Sequence, residues 1–369
     1  MSELKVDKVS PRSGNYVALN TVGSKNIIIN GDMSIAQRGT STASITSGDY
    51  YTVDRFELGL TTLGTWTQSQ STDVPTGQGF ATSLKMDCTT ADASPAANAL
   101  FQIRQKIEGQ NLQYLKKGTT NAESLTASFW VKSSKTGTYI LEIFDNDNSR
   151  QISKTYTIDS ASTWEKKTIT FAGDTTGALD NDNGIGLSMQ FWLGAGTDYT
   201  SGTLSTSWTS NTNANRAVGQ VNLADNTANN FWITGVQLEA GTTASDFEFL
   251  PYDMNLARCQ RYYYKTTPTT NGRIANGFAP SATLTDNLFS LPVTMRTNPT
   301  ALEQSGTAGD YSVVNRATAT TCSAVPAIQN STNQTAGIRA TVSSGLTTGD
   351  GVILRSVNTS GFLAWSAEL

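Results

Sequence analysis

LSMQFWLG, residues 187–194, sets Leu187, Met189, Phe191 and Leu193 on one side of an extended chain and Ser188, Gln190 and Trp192 on the other. A period of two sustained over eight residues is a strand with one face against a core. The stretches around it repeat the pattern. In SLTASFWVKS, Phe129 and Val131 share a face opposite Ser128, Trp130 and Lys132, and WEKKTITF places Ile169 with Phe171. NIIINGD closes on the turn dipeptide Asn30-Gly31, and FWITGVQLE and FEFLP end the series at Pro251. Strands parted by Gly, Asn, Asp and Thr, with almost no helical periodicity, predict an all-β chain whose main body, residues 26–251, is a jelly-roll β-sandwich. One stretch stays open. ALFQIRQKIEGQNLQYL, residues 99–115, reads as a helix through Leu100, Ile103, Ile107, Leu112 and Leu115, and equally well as a strand and loop.

On either side of the sandwich the pattern changes. YDMNLARCQRYYYK, residues 252–265, has good helix formers at Met254, Ala257, Arg258 and Arg261 and is predicted as a short linker helix. Residues 266–369 return to strands, in about the length of a second, smaller C-terminal β-sandwich. In residues 1–25, LKVDKV alternates and Pro11 and Gly14 punctuate a turn. A lone β-hairpin cannot bury a core, so this lead is expected to be an attachment segment docked on another protein.

Composition excludes several function classes. The 369 residues contain no histidine, which removes the commonest general base and metal ligand. Cys88, Cys259 and Cys322 form no CxxC pair and suit a reducing cytoplasm. With 26 Lys and Arg against 30 Asp and Glu, and no basic stripe, nucleic acid is not an expected partner. MSELKVDKVSPRSG lacks the apolar core of a signal peptide, and no apolar run reaches the length of a membrane span, so neither secretory export nor membrane insertion is expected. Thirty acidic residues always offer chance carboxylate pairs, but the coil repeats of a polysaccharide-cleaving β-helix are missing. No enzyme is expected, and no catalytic residue is assigned.

Read in order, NIIINGDMSIAQRGTS, DYYTVDRF, SFWVKSSKTGTY, TWEKKTITFAGDTTG, GIGLSMQFWLGAGTDYTSG and FWITGVQLEAGTTASDFEFLPYDMNLARCQRYYYK resemble a family of phage tail-fibre and minor virion structural proteins with a carbohydrate-binding-module-like jelly roll. The resemblance spans residues 26–265. It implies a virion location on a tail fibre, assembly in the host cytoplasm, and a homotrimer docked through residues 1–25 on another tail or virion protein. Its expected role is to attach the particle to a host surface glycan or protein. The alternative is a purely structural virion component (a head fibre, decoration or tail-shaft protein) that meets no receptor. Trimers gain a second argument from Tyr262 to Tyr264, an aromatic run with little chain around it to bury it.

Candidate sites follow from the same residues. DNDNSR, from Asp145, starts like a calcium loop but has Arg150 where Gly is required and Tyr156 where a bidentate Glu is required, so it reads as a polar turn. The resemblance instead implies a structural calcium near the joined first and last strands, at Asp32 and Glu239, and no other cofactor. Trp130, Trp192 and Trp232 are expected to pack in the core or between subunits, while Trp66, Trp208 and Trp365 lie in loop-rich or terminal surroundings and suit sugar stacking. The segment 321–337, TCSAVPAIQNSTNQTAG, is expected to be a loop at a C-terminal receptor-binding tip. There Gln329, Asn330, Asn333 and Gln334 would bond sugar hydroxyls, with Tyr311 or Trp365 as the stacking face.

Overall fold

The computed structural model describes residues 25–369; the expected attachment hairpin, residues 1–25, lies outside the described residues apart from Lys25. Twelve strands build the first unit. They are β1 Ser41–Ile45, β2 Glu57–Thr61, β3 Thr65–Ser71, β4 Ser83–Thr90, β5 Leu100–Glu108 and β6 Leu125–Ser133. After these come β7 Gly137–Asp145, β8 Arg150–Ile158, β9 Glu165–Phe171, β10 Ile185–Ala195, β11 Thr209–Ser210 and β12 Asn230–Ala240. Two six-stranded sheets face each other, ordered β1-β3-β4-β12-β6-β9 and β11-β8-β7-β10-β5-β2. This is the expected jelly-roll sandwich.

The alternation of β10 is realised in its register: Phe191 lies opposite Leu141 of β7 and Ile103 of β5, all buried. Between the sheets, Phe129 meets Tyr156 and Phe191 edge-on at centroid distances of 5.1 and 5.0 Å, a favoured geometry for aromatic pairs. Trp192, on the outer face of β10, is also buried, because a loop carrying helix α1 (Thr197–Thr200) folds over it. Its indole donates to Glu142 at 2.9 Å. The open stretch 99–115 is strand β5 followed by two 3-10 turns, Gly109–Asn111 and Gln113–Leu115. Phe101, Ile103 and Ile107 enter the core at a two-residue period, and that burial outweighs the helical spacing of the leucines.

Helix α2 covers Tyr252–Gln260 and stops short of the expected 265. Three consecutive tyrosines favour extended chain, and the next strand, β13 Tyr263–Lys265, takes two of them. The second unit adds β14 Arg273–Phe278, β15 Leu284–Ser290, β16 Glu303–Gln304 and β17 Tyr311–Asn315. It ends with β18 Thr318–Ile328, β19 Thr335–Val342, β20 Gly351–Ser356 and β21 Leu363–Ser366. The expected C-terminal sandwich is instead a closed barrel, β14-β15-β19-β18-β17-β20. Strand β20 pairs with both β14 and β17; closing the ring leaves no sheet edge unpaired. Among the described residues no helix is long and apolar enough to cross a membrane.

A small sheet, β13-β21-β16, joins the two units. Tyr262 and Tyr263 are each 1% exposed, buried by this one chain, so the tyrosine run gives no argument for a trimer. The joint is ionic as well as apolar. Arg55, in the left-handed region at φ 72°, is buried with its guanidinium 3.5 Å from the Tyr262 ring centroid. It pairs with Glu368 and donates to the Lys106 carbonyl at 2.7 Å. Arg38 lies over Tyr263 at 3.6 Å and reaches the same Glu368 at 3.4 Å. Arg296 donates to the carbonyls of Ala367 and Glu368 at 2.7 and 2.6 Å. Glu108 accepts the Arg261 fork at 2.8 and 2.7 Å and the Tyr262 hydroxyl. Burial alone would raise the Glu108 carboxyl, but these donors hold it below the usual carboxylate range.

Candidate functional site

The outer face of the β1-β3-β4-β12-β6-β9 sheet carries aromatic side chains between polar ones. Because Phe129 and Val131 point into the core, Ser128, Trp130 and Lys132 of β6 point out. Register then brings strands together: Trp232 of β12 lies between Lys85 of β4 and Lys132 of β6, and Trp130 lies between Thr234 of β12 and Lys166 of β9. The Lys132 and Lys85 ammonium groups stand 4.7 and 5.3 Å from the Trp232 ring centroid. Asp73, from the β3–β4 loop, pairs with Lys132 and accepts the Trp164 indole at 2.9 Å. That contact fixes the loop over one end of the face.

At the other end the face deepens into a cleft of about 250 Å³, lined by Gln78, Ser128, Trp130, Lys166 and Asp246 and by Phe80, Phe247 and Phe249. The three phenylalanine rings pack on one another at 4.8 to 5.1 Å, and Phe249 remains 51% exposed. Gly235 sets the floor. It has φ 61° at a bulge in β12, and a Cβ there would stand 2.6 Å from the Phe80 ring. Among the described residues, the side chains of Gln78, Ser128, Lys166 and Asp246 have no hydrogen-bond or ion-pair partner, although many polar side chains nearby do. An apolar wall with a few unengaged polar groups is the composition of a ligand site.

Larger cavities of about 440 and 510 Å³ flank α2, and several of their polar groups are committed to the joint or to neighbouring carboxylates. Arg261 is held by Glu108, Lys106 by Glu57, and Gln37 by Asp54 and the Tyr263 carbonyl.

The residues named from the sequence fall elsewhere. Trp66, Trp365 and Tyr311 are fully buried in the two cores and present no stacking face. Each sits on or beside a strand that turns its side chain inward, so the loop-rich surroundings misled. Trp208 is partly exposed, but its indole donates to the Ala172 carbonyl at 2.7 Å and its ring packs on the sandwich core. Half of the expected loop 321–337 is strand β18, with Cys322 and Pro326 buried. What remains is a hairpin turn that does bring Gln329, Asn330, Asn333 and Gln334 together. Main-chain bonds from Leu291 and Met295 to Gln334 and Asn333, at 2.9 and 2.7 Å, brace that turn.

Asp32 and Glu239, the expected calcium ligands, are both hydrogen-bonded within the chain. Asp32 accepts the Ser34 hydroxyl and the Asn255 amide, both at 3.1 Å. Glu239 accepts the Ser245 amide at 2.7 Å, the Ser245 hydroxyl at 2.8 Å and the Gln237 side chain at 3.0 Å. The donors fall on Oδ1 of Asp32 and on both oxygens of Glu239. Among the described residues no group of three acidic or cysteine side chains is placed to hold a metal.

Sequence reasoning missed Trp130 as a contact residue although its alternation was plain. Phe247 and Phe249 in FEFLP carried no signal beyond an apolar spacing.

No family model matches the chain, and no curated protein matches it. Among solved structures, the enzymatically active domain of tailspike protein 4 of bacteriophage CBA120 is 15% identical, with a TM-score of 0.30 over 58% of this chain and 21% of that one. The chain thus spans about a fifth of the tailspike chain. A CBM4 structure is 14% identical at a TM-score of 0.29, covering 59% of this chain and 99% of its own. A putative sugar-binding protein from Bacteroides thetaiotaomicron is 11% identical at 0.31, covering 58% and 99%.

Proposed function

We propose that the chain is a non-enzymatic attachment component of a bacteriophage virion, of tail-fibre type, which binds a host-surface glycan in the cleft between Trp130 and Phe249. The observation that carries the reading is that cleft: an aromatic wall, with Phe249 exposed and Trp130 and Phe247 partly so, beside four polar side chains with no partner of their own. Sugar rings present C–H faces that lie on aromatic rings and hydroxyls that need donors and acceptors, and Gln78, Ser128, Lys166 and Asp246 supply both. Trp232, on the next strand and two residues out of register, offers a second ring roughly 7–8 Å away for a longer chain. The virion setting rests on the ordered motifs of residues 26–265 and on the lead 1–25 as docking segment. A homotrimer fits that setting, because three weak sites on one fibre multiply into firm attachment.

The purified chain is expected to block adsorption of its phage to host cells. Trp130→Ala should lose that block by at least about ten-fold, the scale of one lost aromatic contact, while its unfolding midpoint stays near that of the parent. A variant that blocks equally well would remove the cleft from host contact.

A further inference from the structure

The DRF motif, Asp54 to Phe56, is not used by the cleft, and its carboxylate sits at the joint. Asp54 is 1% exposed. Its oxygens accept the main-chain N–H of Gln37 at 2.9 Å and the Gln37 side-chain amide. The same amide donates to the Tyr263 carbonyl at 2.7 Å, on strand β13. Strand β13 pairs with β21 through Tyr263 and Ser366, and two residues on, Glu368 returns to Arg55, the chain neighbour of Asp54. The loop of contacts is closed. Sandwich, β13, β21 and sandwich again hold one another through two buried carboxylates.

The groups facing Asp54 are Arg38 from its own unit, Cys259 from α2, Tyr263 from β13 and Glu368 from the C-terminal strand. None of the cations touches it directly: Arg55 and Arg38 are both taken by Glu368.

We infer that the joint between sandwich and barrel is a proton-linked latch, in which Asp54 takes up a proton as the two units close and releases it as they part. Burial pushes the Asp54 carboxyl up to about 6, against the hydrogen bonds from Gln37 and the charge of Arg38, which pull it down. Once the joint opens to water, the group returns toward the ordinary carboxylate range near 4. The closed form therefore binds more protons between those two values, and closure weakens as the pH rises through them. Burial moves Tyr263 and Cys259 upward, away from this range.

Hydrogen exchange of the full chain, corrected for the intrinsic pH effect, reads the latch at the amides of Thr266 and Ala367, which bond to the carbonyls of Leu363 and Tyr262. Opening is expected to increase about ten-fold from about pH 5 to about pH 7.5, and Asp54→Asn should abolish the dependence. An unaltered slope in Asp54→Asn, or no slope in the parent, overturns the inference. Should Asp54→Asn not fold, a carboxyl-carbon NMR titration of the unaltered chain decides. A midpoint near 6 at Asp54, shared by the amides of Thr266 and Ala367, supports the latch, and a midpoint near 4 overturns it.

Discussion

Replacing Arg55 with alanine is expected to cost the fold about 3–5 kcal/mol, the cost of breaking a buried ion pair from one side. Arg55 and Glu368 are 1% and 6% exposed, so water cannot replace the lost partner. Arg38 also touches Glu368, but at 3.4 Å, and it cannot fill the space over the Tyr262 ring. By contrast Arg104, which grips Glu57 at 2.7 Å while 27% exposed, should cost no more than about 1 kcal/mol on truncation. Denaturant unfolding of the two variants makes the comparison. If both lose similar stability, or Arg55→Ala loses less than Arg104→Ala, the joint is not held by the buried pair.

Trp365→Ala should be comparably damaging, about 3–5 kcal/mol, although the sequence places Trp365 near the end of the chain in a setting that suits ligand contact. On β21, packed into the core of the second unit, it stacks on Phe289 at 5.0 Å and on Tyr264 at 6.1 Å with no exposed surface. Its indole N–H has no partner, so Trp365→Phe should be far milder, because it keeps most of the stack and removes an unsatisfied donor. Thermal unfolding distinguishes the cases. A nearly neutral Trp365→Ala would restore the exposed reading of this residue.

The period-two alternation that announced β10 and β6 was enough to place the sandwich, because one buried face admits one register. The same logic failed in the second unit. Strands YSVVN, AGIRATVS and GVILRS are legible one by one, but whether their sheet closes depends on β20 finding β14 and β17 across long stretches of chain, which no local pattern encodes. Three of the motifs behind the family resemblance, those of residues 26–41, 49–56 and 231–265, supply contacts at or beside the joint. Asn30 of NGD donates to the Ile35 and Asp54 carbonyls at 2.9 and 3.0 Å, DRF supplies Asp54 and Arg55, and Arg261 and Tyr262 bind Glu108. Glu368, outside the range of the resemblance, closes the joint on Arg55. The cleft was harder to see, because its walls come from four separate segments and its unengaged side chains differ from ordinary surface polar residues only in where the fold puts them. Reading tryptophans by loop surroundings selected Trp66 and Trp365, both core, and set aside Trp130, whose place opposite Phe129 already pointed outward.

Direct binding of sugars tests the central claim. The purified chain, applied to an array of bacterial surface glycans, is expected to retain at least one of them. In solution titration with that glycan, Trp130→Ala and Phe249→Ala should each weaken binding by about ten-fold or more, and replacing the 329–334 turn with Gly and Ser should leave it unchanged. Retention of no glycan, or binding that survives both aromatic substitutions, would contradict the account.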